Sequence, residues 1–195
     1  MITQTNTVLL MGLRDPRNDG VWSEFFGRYQ PLLVSFARKL GLNEEDAQDA
    51  AQDALAGFAE AYRQGQYDRD KGRLRTWLLT IATNKVRDMQ RRRRERLIAE
   101  SGDATGFIDQ VPDDHTLSDL WEAEWKLAIV RQCLDFVRPR VEPTTLRAFE
   151  LLAIKGLSGE EVAAQLGISR NAVYQAKAHV LSHMREYQRQ LEEIW

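Results

Sequence analysis

The sequence is poor in cysteine and in long apolar runs. Cys133 is the single cysteine, which excludes a disulfide framework and a zinc site built from cysteines. No stretch approaches the ~18 consecutive apolar residues of a membrane span. The first residues also lack the basic start and apolar run of a secretory signal. These absences predict a cytoplasmic protein without a membrane span.

The net charge is small, but the charges are unevenly distributed. The chain has 195 residues, 43% of them hydrophobic and 29% charged, which is typical of a soluble globular protein with one domain or two small ones. A basic segment, residues 69–96, has eleven lysines and arginines against three acids, a local balance of +8. An acidic segment, residues 97–119, has six acids and no lysine or arginine. A formal net charge of −2 therefore conceals a candidate nucleic-acid surface beside a segment able to mask it.

Helical periodicity dominates, and no alternating strand pattern appears. Apolar residues three and four apart predict helices from about Trp22 to Leu40, over 43–64 and over 73–95. Val8, Leu9, Leu10 and Leu13 suggest a short helix before them. A further helical stripe contains Leu120, Leu127, Val130, Leu134 and Val137, with Trp121 and Trp125 beside it. The sequence therefore predicts an all-α protein.

The breaks in periodicity predict two small domains. Residues 1–96 form the first domain, and residues 97–118 form a flexible acidic linker with scattered glycine, proline and aspartate. Residues 119–195 form the second domain.

Residues 157–174 have the local features of a helix-turn-helix. Ser158 and Glu161 are spaced as a capping box, Gly167 suits a turn with positive φ, and Ser169 suits the cap of a second helix. Polar residues on the first turns of that second helix are what a reader of the DNA major groove requires. A plain helical hairpin is the alternative. The outward residues are Arg170, Asn171, Tyr174, Gln175 and Lys177.

Taken together, the two halves resemble a bacterial RNA polymerase sigma factor of the small extracytoplasmic-function type in the sigma-70 family. Residues 49–55, Asp-Ala-Ala-Gln-Asp-Ala-Leu, are similar to the family's Asp-Leu-Val-Gln-Glu-x-Phe pattern. Residues 72–84, from Gly72 to Asn84, are similar to its Gly-x-Phe-x-x-Trp-Leu-x-x-Ile-Ala-x-Asn segment. The resemblance covers residues 19–96 and 119–190.

The resemblance implies three binding surfaces, with core RNA polymerase and promoter DNA as partners. Regulation by an anti-sigma protein is usual in the family, although nothing in this sequence identifies such a partner. Core polymerase would be bound by Asp49, Gln52 and Asp53, whose polar face suits a basic coiled coil. The minus-ten element would be bound by Arg69, Lys71, Arg73, Arg75, Asn84, Lys85, Arg87, Arg91 and Arg92. The minus-thirty-five element would be bound by Ser169, Arg170, Asn171, Tyr174, Gln175 and Lys177.

The sequence departs from the family pattern in the second helix of the helix-turn-helix. Tyr174, Gln175, Ala176 and His179 stand where the family often has Lys, Ser, Arg and Arg, so this helix is less basic. Lys177 replaces a leucine of the family, which puts the buried stripe of that helix in question.

No catalytic, metal or cofactor motif is recognisable. His179 and His183 are four residues apart but lack the adjacent glutamate of a zinc protease, and DNA-facing or solvent-facing histidines are the simpler interpretation. Cys133 is expected in the core. The predicted function is a non-enzymatic initiation factor. The alternatives are a stand-alone helix-turn-helix regulator with a helical sensing domain and a helical scaffold.

Overall fold

The computed structural model describes residues 6–15, 17–67, 74–101 and 112–192. All secondary structure in these ranges is helical, so the predicted all-α class is confirmed. The α-helices are α1 (Asn6–Gly12), α2 (Asp19–Lys39), α3 (Glu44–Arg63), α4 (Leu74–Ser101), α5 (Asp114–Val137), α6 (Pro143–Phe149), α7 (Gly159–Leu166) and α8 (Arg170–Glu192). A 3-10 turn (Arg138–Arg140) precedes α6, and a π-helical turn (Glu150–Ile154) follows it.

The chain forms two compact units. The N-terminal unit comprises residues 7–128, and the C-terminal unit runs from residue 129 onward, so the division falls inside α5. The first half of α5 belongs to the N-terminal unit, whereas the sequence analysis assigned residues 119–128 to the second domain.

An aromatic core joins α2 and α3 in the N-terminal unit. Phe25 and Phe58 are fully buried, and their rings stack with centroids 4.7 Å apart. The short first helix adds to this core, because Leu9 and Leu13 are buried and the Tyr62 hydroxyl donates a hydrogen bond of 2.6 Å to the carbonyl oxygen of Leu10. The short N-terminal helix predicted from the sequence is therefore confirmed.

The buried face of α5 differs from the predicted stripe in the middle of the helix, although Val137 of that stripe is fully buried. Trp121 and Trp125 are buried against Phe36 and Tyr29 of α2, with ring centroids 5.1 Å and 5.9 Å apart. Leu127 and Val130, predicted on the buried stripe, are 48% and 43% exposed, so that part of the prediction is wrong. Both faces of α5 have helical apolar spacing, and the one with two indole rings buries more apolar area.

The helices on both sides of the predicted linker are longer than expected. Helix α4 continues to Ser101, and α5 begins at Asp114 after a cap in which the Thr116 N–H donates a hydrogen bond to Oδ1 of Asp113. Both ends of the predicted linker 97–118 are therefore helical, while residues 102–111 lie outside the described part of the chain.

The C-terminal unit has two adjoining apolar clusters. In one, Phe136 of α5 stacks on Tyr187 of α8 with ring centroids 4.6 Å apart. In the other, Val162 of α7 and Val173 of α8 are fully buried beside Leu151. The buried stripe of α8, which Lys177 put in question, contains Val173, Ala176 and Val180, and Lys177 is exposed beside it.

No helix in the described ranges has an apolar stretch long enough to cross a membrane.

Candidate nucleic-acid interface

The helix-turn-helix forms from local interactions that the sequence predicts. The Glu161 N–H donates to the Ser158 hydroxyl at 3.2 Å, and the Ser158 N–H donates to the Glu161 carboxylate at 2.8 Å, which completes the capping box. Gly167 ends α7 with φ +65°, a conformation that strains a residue with a side chain. The Ala172 N–H donates to the Ser169 hydroxyl at 3.1 Å, so Ser169 caps α8. The predicted caps and turn are confirmed.

Contacts with α7 fix the first turns of α8. Arg170 lies 2.9 Å from the Glu160 carboxylate, and its guanidinium lies over the Tyr174 ring. Its side-chain hydrogen bond with Tyr174, together with the charge of Glu160, raises the pKa of Arg170. The Tyr174 ring lies against Gly159, where a Cβ atom would be 2.9 Å from the Tyr174 hydroxyl, so a side chain at this position would require the ring to shift. Arg170 and Tyr174 are therefore held in place by α7, while both remain exposed.

The remaining side chains predicted to face DNA are also on the surface. Asn171, Gln175 and Lys177 are exposed on α8, as is Ser169 just before it. Their hydrogen-bonding groups occupy the N-terminal part of the helix, the part that enters the major groove in helix-turn-helix proteins.

Helix α4 divides into a buried stripe and an exposed polar row. The buried stripe has a residue every four positions and ends at Gln90, whose Nε2 donates a hydrogen bond of 2.9 Å to the carbonyl oxygen of Leu40. Beyond Gln90, every side chain from Arg91 to Ala99 is exposed. The exposed row, called the polar row below, consists of Thr76, Thr80, Asn84, Arg87 and Arg91.

Three predicted minus-ten cations have carboxylate partners within the N-terminal unit. Arg75 pairs with Glu122 of α5, and Arg87 lies 3.8 Å from Asp114. Arg91 lies 3.0 Å from Asp88 on its own helix. Lys85 is partly buried and Arg92 is exposed. The remaining predicted cations, Arg69, Lys71 and Arg73, lie outside the described residues.

The partner acids on α5 are absent from the sequence-based list of site residues. Glu122 pairs with both Arg75 and Lys126, and the buried Glu124 carboxylate lies 2.5 Å from Lys39 of α2. The pairs with Arg75 and Lys39 join residues far apart in sequence, so charge counting cannot identify them. The signal that was available is the pair of acids between the two tryptophans of α5.

A second surface of the N-terminal unit lies on α3. Asp49, Gln52 and Asp53 are all exposed, while Ala50, Ala51, Ala54 and Leu55 between and beside them are buried. The structure therefore brings the predicted polymerase-binding residues together on the solvent side of α3.

Cys133 lies in the core, as predicted. It is buried in the C-terminal cluster, and this burial raises the pKa of its thiol to about 11. A thiol in this state is a poor nucleophile at neutral pH. Across the described ranges, no group of three or more histidine, cysteine or acidic side chains is arranged to hold a metal ion.

The capping box predicts a pH-dependent contribution to stability. Hydrogen bonds from the backbone and then the side chain of Ser158 lower the pKa of Glu161 from its ordinary value of 4.5. The stabilising effect of the ionised Glu161 carboxylate is complete at a pH above that ordinary value. It is lost as the pH falls through the lowered pKa of the folded state. We expect Glu161→Ala to lower the melting temperature at neutral pH, by an amount that shrinks under acid conditions.

Thermal unfolding followed by circular dichroism across this pH range checks the expectation. Gln165→Ala is the matched control, because Gln165 is exposed on the same helix and carries no charge. A difference in melting temperature that stays constant for Glu161→Ala from neutral to acid pH would contradict the role of the ionised carboxylate.

Comparison with known proteins finds that the chain is similar to RNA polymerase sigma factors. The family described as sigma-70 region 2 matches residues 25–96, from α2 to the arginine-rich part of α4. RNA polymerase sigma factor CnrH of Cupriavidus metallidurans is 29% identical over 160 residues, 80% of each chain. ECF RNA polymerase sigma factor RpoE of Cereibacter sphaeroides is 25% identical over 185 residues, 94% of this chain and 96% of the relative. RNA polymerase sigma factor CarQ of Myxococcus xanthus is 30% identical over 168 residues, 85% of this chain and 87% of the relative.

The helix-turn-helix and the arginine-rich helix place the molecule in the general class of helical transcription proteins. With these relatives, the assignment becomes specific. The chain belongs to the extracytoplasmic-function group of the sigma-70 family, the RNA polymerase sigma factors that direct transcription initiation.

Proposed function

We propose that this sigma factor binds core RNA polymerase through α3, holds the melted minus-ten strand along α4 and reads the minus-thirty-five duplex with α8. It acts without catalysis of its own, and its partners are core polymerase and promoter DNA. The observation that carries the proposal is the structure of α4, whose polar row leads from Thr76 into an arginine run with no buried side chain.

The polar row has the chemistry required to hold single-stranded DNA. Thr76, Thr80 and Asn84 offer hydrogen-bonding groups without charge, and Arg87 and Arg91 add cations for phosphates farther along the helix. Tyr67 and Trp77 stack with centroids 5.0 Å apart at the start of this helix, and Trp77 also packs on Phe58. Trp77 therefore packs in the core, and we assign strand binding to the exposed side chains of the polar row.

Carboxylate partners reduce the affinity of the free protein for DNA. Glu122 and Asp114 partly neutralise Arg75 and Arg87, so a phosphate must compete with a carboxylate already present. Docking to core polymerase supplies a high local concentration of promoter DNA and favours this exchange. An acidic factor that binds DNA poorly alone and well within the holoenzyme is the expected result.

The test uses the purified full chain and bacterial core RNA polymerase in the absence of DNA. A stable complex that co-elutes in size-exclusion chromatography supports the assigned role of the N-terminal unit, and promoter mapping with that complex follows. A chain that fails to bind core polymerase but binds duplex DNA as a dimer would overturn the proposal in favour of a stand-alone regulator.

The reading of the minus-thirty-five element has a separate test. Substitutions at Asn171 or Gln175, both exposed on α8, alter the preferred upstream sequence if these side chains contact bases. An unchanged preference would show that another face of the helix enters the groove.

A further inference from the structure

Two histidine rings meet on α8, and the proposed function uses neither. The Nε2 atoms of His179 and His183 are 3.1 Å apart, and the ring centroids are 4.9 Å apart. His179 is exposed, and the side chain of His183 is 24% exposed to solvent. The pair is therefore partly open to ions in solution, and it begins two residues beyond Lys177, the last of the residues proposed to read DNA.

The separation of the two nitrogens matches a shared metal ion. Zinc–nitrogen bonds are about 2.0–2.1 Å long, so an ion bound to both atoms across 3.1 Å has a nitrogen–metal–nitrogen angle of roughly 100°. This angle lies between those of octahedral and tetrahedral complexes, so the distance between the two nitrogens suits a shared ion.

A carboxylate three residues farther along α8 lies close to the second ring, at a distance longer than a hydrogen bond. The Oε2 atom of Glu186 lies 3.5 Å from Nδ1 of His183, on the side of the ring away from His179. A proton on Nδ1 beside this carboxylate leaves a lone pair on Nε2, the atom that lies 3.1 Å from Nε2 of the other histidine. Metal-binding histidines commonly have such a carboxylate behind the ring, where it fixes the tautomer and raises ligand basicity.

We propose that His179 and His183 form a two-ligand site for a borderline divalent transition-metal ion such as Ni²⁺ or Zn²⁺, with Glu186 as a positioning residue. Imidazole nitrogens favour these ions over Mg²⁺ and Ca²⁺, which take oxygen ligands. The remaining coordination positions are filled by water, so the ion exchanges readily. Bound in this way, the ion links two turns of α8 and stabilises the helix that presents Arg170 to Lys177.

The chain supplies its own matched control, because His115 is the only other histidine. It is exposed on α5 beside Asp119, 3.1 Å away, and has no histidine neighbour four residues along. The experiment is a calorimetric titration of the full-length, tag-free protein with NiCl₂ and separately with ZnCl₂, with MgCl₂ as the control ion. Thermal unfolding with and without each ion gives the second readout.

We expect one Ni²⁺ or Zn²⁺ per chain, with a rise in melting temperature. His179→Ala and His183→Ala each weaken binding at least tenfold and abolish the rise, whereas His115→Ala retains both. Alanine favours the helix more than histidine does, so these variants keep α8, as far-ultraviolet circular dichroism checks. Glu186→Gln keeps the stoichiometry and weakens the affinity several-fold.

Two results would overturn the proposal. One is the absence of saturable binding by the wild-type protein. The other is equal affinity in the wild-type protein and in both His179→Ala and His183→Ala, which would place the ion elsewhere. Either result leaves the proposed role in initiation untouched, since that role does not depend on the histidines.

Discussion

Substituting arginine for both Asp49 and Asp53 is expected to abolish co-elution with core polymerase while leaving the helical fold intact. The two carboxylates lie one turn apart on the exposed face of α3, and the polymerase surface proposed to meet them is basic. Like charges brought together at an interface cost several kcal/mol. We therefore expect the affinity for core polymerase to fall by a factor of about 100 or more.

A matched pair of reversals separates this local effect from the change in net charge. Asp119→Arg with Asp135→Arg alters the charge of the chain equally, at exposed positions on α5. We expect this control to bind core polymerase nearly as well as the wild-type protein does. If both double variants lose affinity equally, overall charge rather than the α3 face governs binding, and the assignment of Asp49 and Asp53 fails.

Replacing Arg91, Arg92, Arg93 and Arg94 together by alanine is expected to eliminate promoter opening by the holoenzyme. All four side chains are exposed beyond the last core residue of α4, so their removal leaves the packed core unchanged. Each phosphate contact with a single strand contributes a slope of about 0.7 to the dependence of log K on log salt. If all four contact phosphates, their loss at moderate salt weakens strand binding by a factor of order 10²–10³.

The four-lysine variant at the same positions is the appropriate control, because it keeps the charge and removes only the guanidinium geometry. Permanganate reactivity of melted bases, together with run-off transcription at a promoter mapped with the wild-type protein, provides the readout. We expect the lysine variant to retain most of the opening and to keep the salt dependence. Unchanged opening by the alanine variant would remove the arginine run from the proposed mechanism.

The sequence predicts the helix-turn-helix in detail because its determinants are close neighbours. Ser158 and Glu161, Gly167, and Ser169 each act within four residues of their partners, so spacing and residue type were sufficient. The exposed acidic face of α3 was predictable for the same reason, since helical periodicity separates buried alanines from exposed acids.

The orientation of α5 was not predictable from periodicity. Leu127 and Val130 are three residues apart and Trp121 and Trp125 are four apart; both spacings are helical, so spacing alone does not say which face meets another helix. The choice depends on partners far away in the chain, including Phe36 of α2. The same limit applies to the Arg75–Glu122 pair and to the contact between Gly159 and Tyr174.

The position of Gln90 has a thermodynamic consequence for α4. Up to this residue the helix is stabilised by side-chain burial, and its amide hydrogen bond to the end of α2 marks the limit of the core. From Arg91 to Ala99 the side chains are exposed, so helical order there depends mainly on backbone hydrogen bonds and local propensity. Four adjacent cations also repel one another, which makes that order sensitive to ionic strength. If a DNA strand binds there as proposed, its phosphates reduce this repulsion, and the free energy of binding includes the added stability of the helical arginine run.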